Sequence, residues 1–211
     1  MNWLSRFLPG GGAAVSPNLQ AELDAVAALP APELTRAHYE TRYVIVNAEA
    51  GPDRSGGKQL TAVGAVAINQ GLLRPADAFY APLGSAPVDA LLGLLKFVAR
   101  APVVVFNAPF NRGLIERAFE QHLGSVPELD WLDLMVLMPS LYPDRGEALA
   151  RMDVWLSAFG IERLDQRNAL LEAFAVAQLH QVALAGTAEQ TLATPRDLIA
   201  TQSSRQWLRG G

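Results

Sequence analysis

The chain has 211 residues, half of them hydrophobic, with a formal net charge of -4 and no cysteine. Without cysteine there are no disulfides, thiolate metal sites or cysteine nucleophiles, and the chemistry left is that of carboxylates, amides, histidines and hydroxyls. The acidic balance gives no general attraction for nucleic acid, so any such binding needs a local basic patch and is salt-sensitive.

Length suits one full core with appended helices. No apolar run approaches the roughly 20 residues that span a bilayer. Arg6 and Pro9 to Gly12 interrupt the apolar stretch a signal peptide would need. The expectation is a globular, cytoplasmic chain with no membrane association.

Residues 1–40 read as a helical annex. Ser16-Pro17 opens a helix toward Leu29, with serine as cap and proline in the first turn. Trp3, Leu4, Phe7 and Leu8 are expected to pack on the body of the chain, with docking of a protein partner through residues 1–29 as the alternative. Tyr43 to Gly51 is apolar and β-branched and reads as a buried central strand. Asn47 and Glu49 lie two residues apart near its carboxyl end, hence on one face, where open α/β sheets place their chemistry.

Leu60 to Asn69 and Ala78 to Leu83 follow as two further antiparallel strands. Pro87 to Arg100 reads as a helix and Val103 to Phe106 as a short buried strand, parallel to the opening one because a helix crosses between them. Asn107, as cap, starts a helix to about Leu123. A short edge strand near Leu129 to Leu132 leads into a helix ending at Leu141. From Gly146 onward the pattern is helical: Glu147 to Phe159, then Asp165 to about Ala185, then Pro195 to Leu208. The fold class is α/β, a mixed five-stranded sheet flanked by helices. The chain divides into an annex (1–40), a main domain (41–186) and a carboxyl-terminal helix and tail (187–211).

Two phrases carry a family resemblance: Val103-Val-Val-Phe-Asn-Ala-Pro-Phe-Asn-Arg-Gly-Leu-Ile-Glu116, and Ala158 to Ala177, which contains Arg167-Asn-Ala-Leu-Leu-Glu-Ala173. With Asn47-Ala-Glu49 and Asp133, their order resembles the DEDDh 3′-5′ exonucleases of the ribonuclease H-like fold. That group includes the epsilon proofreading subunit of bacterial replicative polymerase and oligoribonuclease. The resemblance runs from about Tyr43 to Leu184. It implies a site in which four carboxylates hold two magnesium ions and a histidine deprotonates the attacking water. It also implies a nucleic-acid 3′ end or a nucleotide as ligand.

Matched position by position, this chain departs from that pattern. The first strand has Asn47 where the family has aspartate and keeps Glu49. Asn111 stands for the second aspartate, Glu172 for the last, and Arg167 for the histidine. Two Asp-to-Asn changes remove two of the four negative charges, and an amide oxygen is a weaker ligand for a hard cation than a carboxylate. Arginine has no lone pair to offer and cannot act as the base.

Glu49 and Glu172 are therefore catalytic remnants and at best a weak metal pair, with Arg167 expected to neutralise them in place of metal. Asn47, Asn107, Asn111 and Arg167 are the expected nucleic-acid contacts. His38, His122 and His180 read as surface or helix-end residues. The leading expectation is a pseudoenzyme that binds nucleotide, nucleic acid or protein without a cofactor. An altered magnesium- or manganese-dependent exonuclease and a pure scaffold are the alternatives.

Overall fold

The computed structural model describes residues 16–145, 151–163 and 168–210, with side chains as far as Trp207. Its strands are β1 (Tyr43–Pro52), β2 (Lys58–Asn69), β3 (Leu72–Pro82), β4 (Val103–Val105) and β5 (Trp131–Asp133). Its helices are α1 (Pro17–Ala27), α2 (Pro87–Val98), α3 (Ala108–Leu123), α4 (Leu134–Leu141), α5 (Met152–Ala158), α6 (Ala169–Thr187) and α7 (Pro195–Gly210). The sheet runs β3-β2-β1-β4-β5, antiparallel across the first three strands and parallel across the last three. This is the expected mixed five-stranded α/β architecture.

β1 is central because both its faces are apolar. Val44, Val46 and Ala48 pack under α1, α2 and α3, while Tyr43 and Ile45 pack under α4, α5, α6 and α7. Such a strand has no side left for water, so it can only sit in the middle of a covered sheet. Asn47 and Glu49 continue the odd-numbered row and therefore face α6.

Three expectations change. β3 starts six residues earlier than Ala78, because Gln70 and Gly71 both take positive φ and make a tight hairpin turn. Pro75 had masked this stretch; it sits in the irregular part of the β2–β3 ladder, on an edge strand where its missing N–H costs no ladder bond. The helix before Arg100 stops at Val98, with Ala99 and Arg100 in the left-handed region. α6 is capped by Asn168, whose side chain accepts the N–H groups of Leu170 and Leu171. The expected cap, Asp165, lies outside the described residues, as do residues 1–15 and 146–150.

α6 is a core helix. The segment Ala169–Gln190 is long and apolar enough to cross a bilayer. Here its apolarity is explained by packing on both β1 and β2, with Ala173, Val176, Ala177, Leu179 and His180 fully buried. At the far edge of the sheet, on the same face as α6, α7 covers β5. Gln202 accepts the Asp133 N–H at 2.6 Å and donates to the Trp131 carbonyl at 3.0 Å, the two groups a further parallel strand would have used.

Candidate functional site

The site forms where the carboxyl end of β1 meets the first turns of α6 and α3. α6 reaches the sheet closely because of Gly64, the β2 partner of Asn47. A β-carbon on Gly64 would lie 2.3 to 2.5 Å from backbone atoms of Ala169 and Leu170. With glycine there, Glu49 on the neighbouring strand accepts the Ala169 N–H at 2.5 Å. The first-turn donors of α6 are then all satisfied. Ala169 donates to Glu49, Leu170 and Leu171 to the Asn168 side chain at 2.9 and 3.3 Å, and Glu172 to the Asn168 carbonyl at 3.0 Å. A carboxylate at this position is also favoured by the helix dipole.

Glu172, one turn along α6 from Ala169, is mostly covered and forms an ion pair with the exposed guanidinium of Arg163. Among the described residues the arginine paired with Glu172 is Arg163, which sequence reasoning missed. Arg163 lies nine residues upstream in irregular chain, where no helical or strand period links it to Glu172. Arg167 lies outside the described residues.

Asn111 is buried, at 2 % exposure. Its Oδ1 accepts the Ala48 N–H at 2.8 Å, and its Nδ2 donates to the carbonyls of Phe106 at 2.8 Å and Asn107 at 3.4 Å. It therefore ties β1 to the start of α3 through both ends of the amide. Asn47 is half-buried on the α6 face and has no side-chain hydrogen bond among the described residues.

Two expectations about α3 and the histidines are corrected. Asn107 does not cap α3 with its side chain; it adopts φ +68°, and its own N–H and that of Ala108 donate to the Asp133 carboxylate at 2.9 and 2.8 Å. Asp133 also accepts the Met135 N–H at 2.9 Å, so one buried charge serves the starts of α3 and α4. His180 is not a surface residue. It is fully buried, edge-on to Tyr43 with ring centroids 4.6 Å apart, and neither ring nitrogen has a partner among the described residues. Burial lowers its pKa to about 3. His38 is half-buried, bonded to the Tyr43 hydroxyl at 2.6 Å and to the Leu192 carbonyl at 3.1 Å.

These contacts decide how well the residues fit the two ions that the fold family implies. Glu49 is engaged by a helix N–H, Glu172 by Arg163, Asn111 by three backbone groups and Asp133 by two helix starts. No group of three or more His, Asp or Glu side chains among the described residues is arranged to hold a metal. The donor set does not fit a two-ion centre, in which carboxylates must converge unencumbered.

The mixed five-stranded sheet and the helices around it form a fold that this chain shares with solved exonuclease domains. The sequence matches no protein-family model and no curated protein. Among solved structures it is similar to the EXO domain of Aedes aegypti Nibbler, with TM-score 0.51 and 12% identity over 92% of this chain and 99% of that one. A 3′-exonuclease solved in 3′-end specific recognition of a histone mRNA stem-loop matches with TM-score 0.50 and 11% identity over 79% of this chain and 70% of that one. E. coli Exonuclease I in complex with a dT13 oligonucleotide matches with TM-score 0.50 and 13% identity, over 72% of this chain and 43% of that one. This chain thus spans less than half of Exonuclease I. At such identities the likeness establishes a shared fold.

Proposed function

We propose that this chain is a catalytically impaired exonuclease-fold module that binds a nucleotide or the end of a single-stranded nucleic acid in the cleft around Asn47, Asn111 and Glu172. The observation that carries the reading is the engagement of Glu49 by the first N–H of α6, together with that of Glu172 by Arg163. One oxygen of Glu49 is hydrogen-bonded and Glu172 is ion-paired within the chain, so both carboxylates already have partners where an ion would bind. Asn47 leaves an uncommitted amide on the α6 face for a base or ribose, and Arg163 is placed to share its donors with a phosphate. Nucleic acid as the ligand class is supported by the exonucleases of like fold, which were solved with an oligonucleotide or an RNA stem-loop. Glu49 is a positioning residue for α6 in this reading.

Two assays test it. Labelled single-stranded DNA and short RNA, incubated with the full chain in magnesium or manganese, are expected to remain intact. Calorimetry with mononucleotides is expected to detect binding that weakens at least several-fold in Asn47→Ala. Metal-dependent release of mononucleotides, lost in Glu49→Gln at a temperature where that variant is still folded, overturns the reading in favour of an altered metal-dependent exonuclease. Absence of both turnover and nucleotide binding overturns it in favour of a protein scaffold.

A further inference from the structure

On the opposite face of the sheet from α6, a cleft of about 710 Å³ opens between the β1–β2 hairpin and the carboxyl-terminal half of α3. Its volume falls in the range of small-ligand sites, roughly 300–1,000 Å³. Arg54 and Lys58 line one wall and Arg117 the other, with Gln121 and His122 further along α3. All three cations are exposed, and none has a carboxylate oxygen within 4.0 Å among the described residues. In a chain of net charge -4 this is a segregated cationic surface.

The acidic group in the cleft is Asp53, and its Oδ1 is held inward. It accepts the Ser55 N–H at 2.8 Å, the Ser55 hydroxyl at 2.7 Å and the Gly57 N–H at 2.7 Å, closing the hairpin turn. The turn bonds engage one oxygen of Asp53, whose remaining charge attracts Arg117 across the cleft, and three cations face this single acid. Lys58 lies over the Phe110 ring, 5.5 Å from the centroid. Phe110 adjoins Asn111 and stands seven residues before Arg117, about 10 Å along α3 at 1.5 Å per residue. Cations on facing walls, amide donors along one of them and an aromatic ring at the end nearer the candidate site match the combination that tracks a single-stranded backbone.

We propose that this cleft is a second binding site, one that takes the phosphodiester backbone of a single-stranded nucleic acid between Arg54 and Lys58 on the hairpin and Arg117 on α3. It rests on the nucleic-acid reading above for the class of ligand and on the cleft's own charges for its place. A single strand fits because its backbone can enter a concave site that a duplex can only ride over.

Fluorescence anisotropy tests it on the full chain, with a labelled oligothymidylate of about fifteen nucleotides, at the long end of single-strand site sizes. Chelator is present throughout, and salt is stepped between about 50 and 200 mM. Three phosphate contacts on a single strand contribute a log–log salt slope of about -2, at roughly -0.7 each. The triple variant Arg54→Ala/Lys58→Ala/Arg117→Ala is expected to bind at least ten-fold more weakly at low salt, with the slope flattened by about 2. Each single variant is expected to flatten it by about 0.7.

Because the three side chains are exposed, an unchanged thermal midpoint confirms that the variant is folded. Unchanged affinity and slope in the triple variant overturn the proposal, as do a blunt duplex bound as tightly as the single strand and a wild-type chain that fails to bind the oligomer. Displacement of the oligomer by an equal concentration of inorganic phosphate also overturns it, since the cleft would then be a free-anion site only. The two sites fail separately. Mononucleotide binding with an unaffected triple variant removes the cleft alone, and oligomer binding lost in the triple variant without any mononucleotide binding removes the candidate site alone.

Discussion

Asn111 shows why the family's aspartate cannot simply be put back. Its Nδ2 donates to the Phe106 and Asn107 carbonyls from a buried position, so an aspartate there would face two carbonyl oxygens without a donor. Asn111→Asp is expected to lower stability by about 1–3 kcal/mol, read from urea unfolding, without creating metal-dependent hydrolysis. Equal stability would mean that the amide is not needed as a donor. The placement of Asn47 and Glu49 near the end of β1, and of Asn111 and Glu172 in the first turns of α3 and α6, was legible in the sequence. Their partners were not legible. Glu49 meets a backbone N–H 120 residues away, and Glu172 meets an arginine nine residues upstream. Side-chain spacing carries no information about which backbone group a carboxylate will reach.

At the scale of elements, the site depends on the seating of α6 on β2. Gly64→Ala would drive a methyl group into the backbone of Ala169 and Leu170, and neither strand nor helix has a flexible side chain there to give way. Overpacking of this kind costs about 1–3 kcal/mol or more. It should also break the Glu49–Ala169 bond, so the variant is expected to show both a lower urea midpoint and weakened mononucleotide binding. A variant that loses stability alone would separate helix seating from the site. The order of strands was readable because β1 is apolar on both faces and a helical crossover precedes β4. The beginning of β3 was hidden by Pro75, a residue that excludes a central strand and is tolerated on an edge. The start of α3 was assigned to the wrong cap because its true cap, Asp133, comes from another strand.

For the whole molecule, His180 makes folding sensitive to acid. Its pKa is about 3 in the folded chain against an ordinary 6.5. The unfolded chain therefore binds more protons between those values, and stability falls as pH drops from about 6.5 toward 3. The slope from one such proton is about 1.4 kcal/mol per pH unit. Burial lowers the pKa of His38 as well, which adds to the same acid limb. Urea midpoints of His180→Leu are expected to be flatter with pH than those of the parent between pH 6 and 4, and an unchanged slope would assign acid sensitivity to other groups. The periodicity of α6 gave no hint of this. A histidine amid alanines and leucines is equally compatible with a surface stripe until the face it lies on is known to be covered.

The Gln202 amide has a consequence for how copies of the chain can associate. By occupying the outward N–H and C=O of β5, it leaves β3 as the sheet margin whose backbone groups could accept another strand. A sheet that can be extended from one side only is a chain terminator in two dimensions. Two copies joined through β3 would exhaust the available margin and stop at a closed pair, whereas a fibre needs a donor and an acceptor margin on every subunit. Among the described residues, the side-chain amide of a single glutamine thus closes the β5 margin to strand addition.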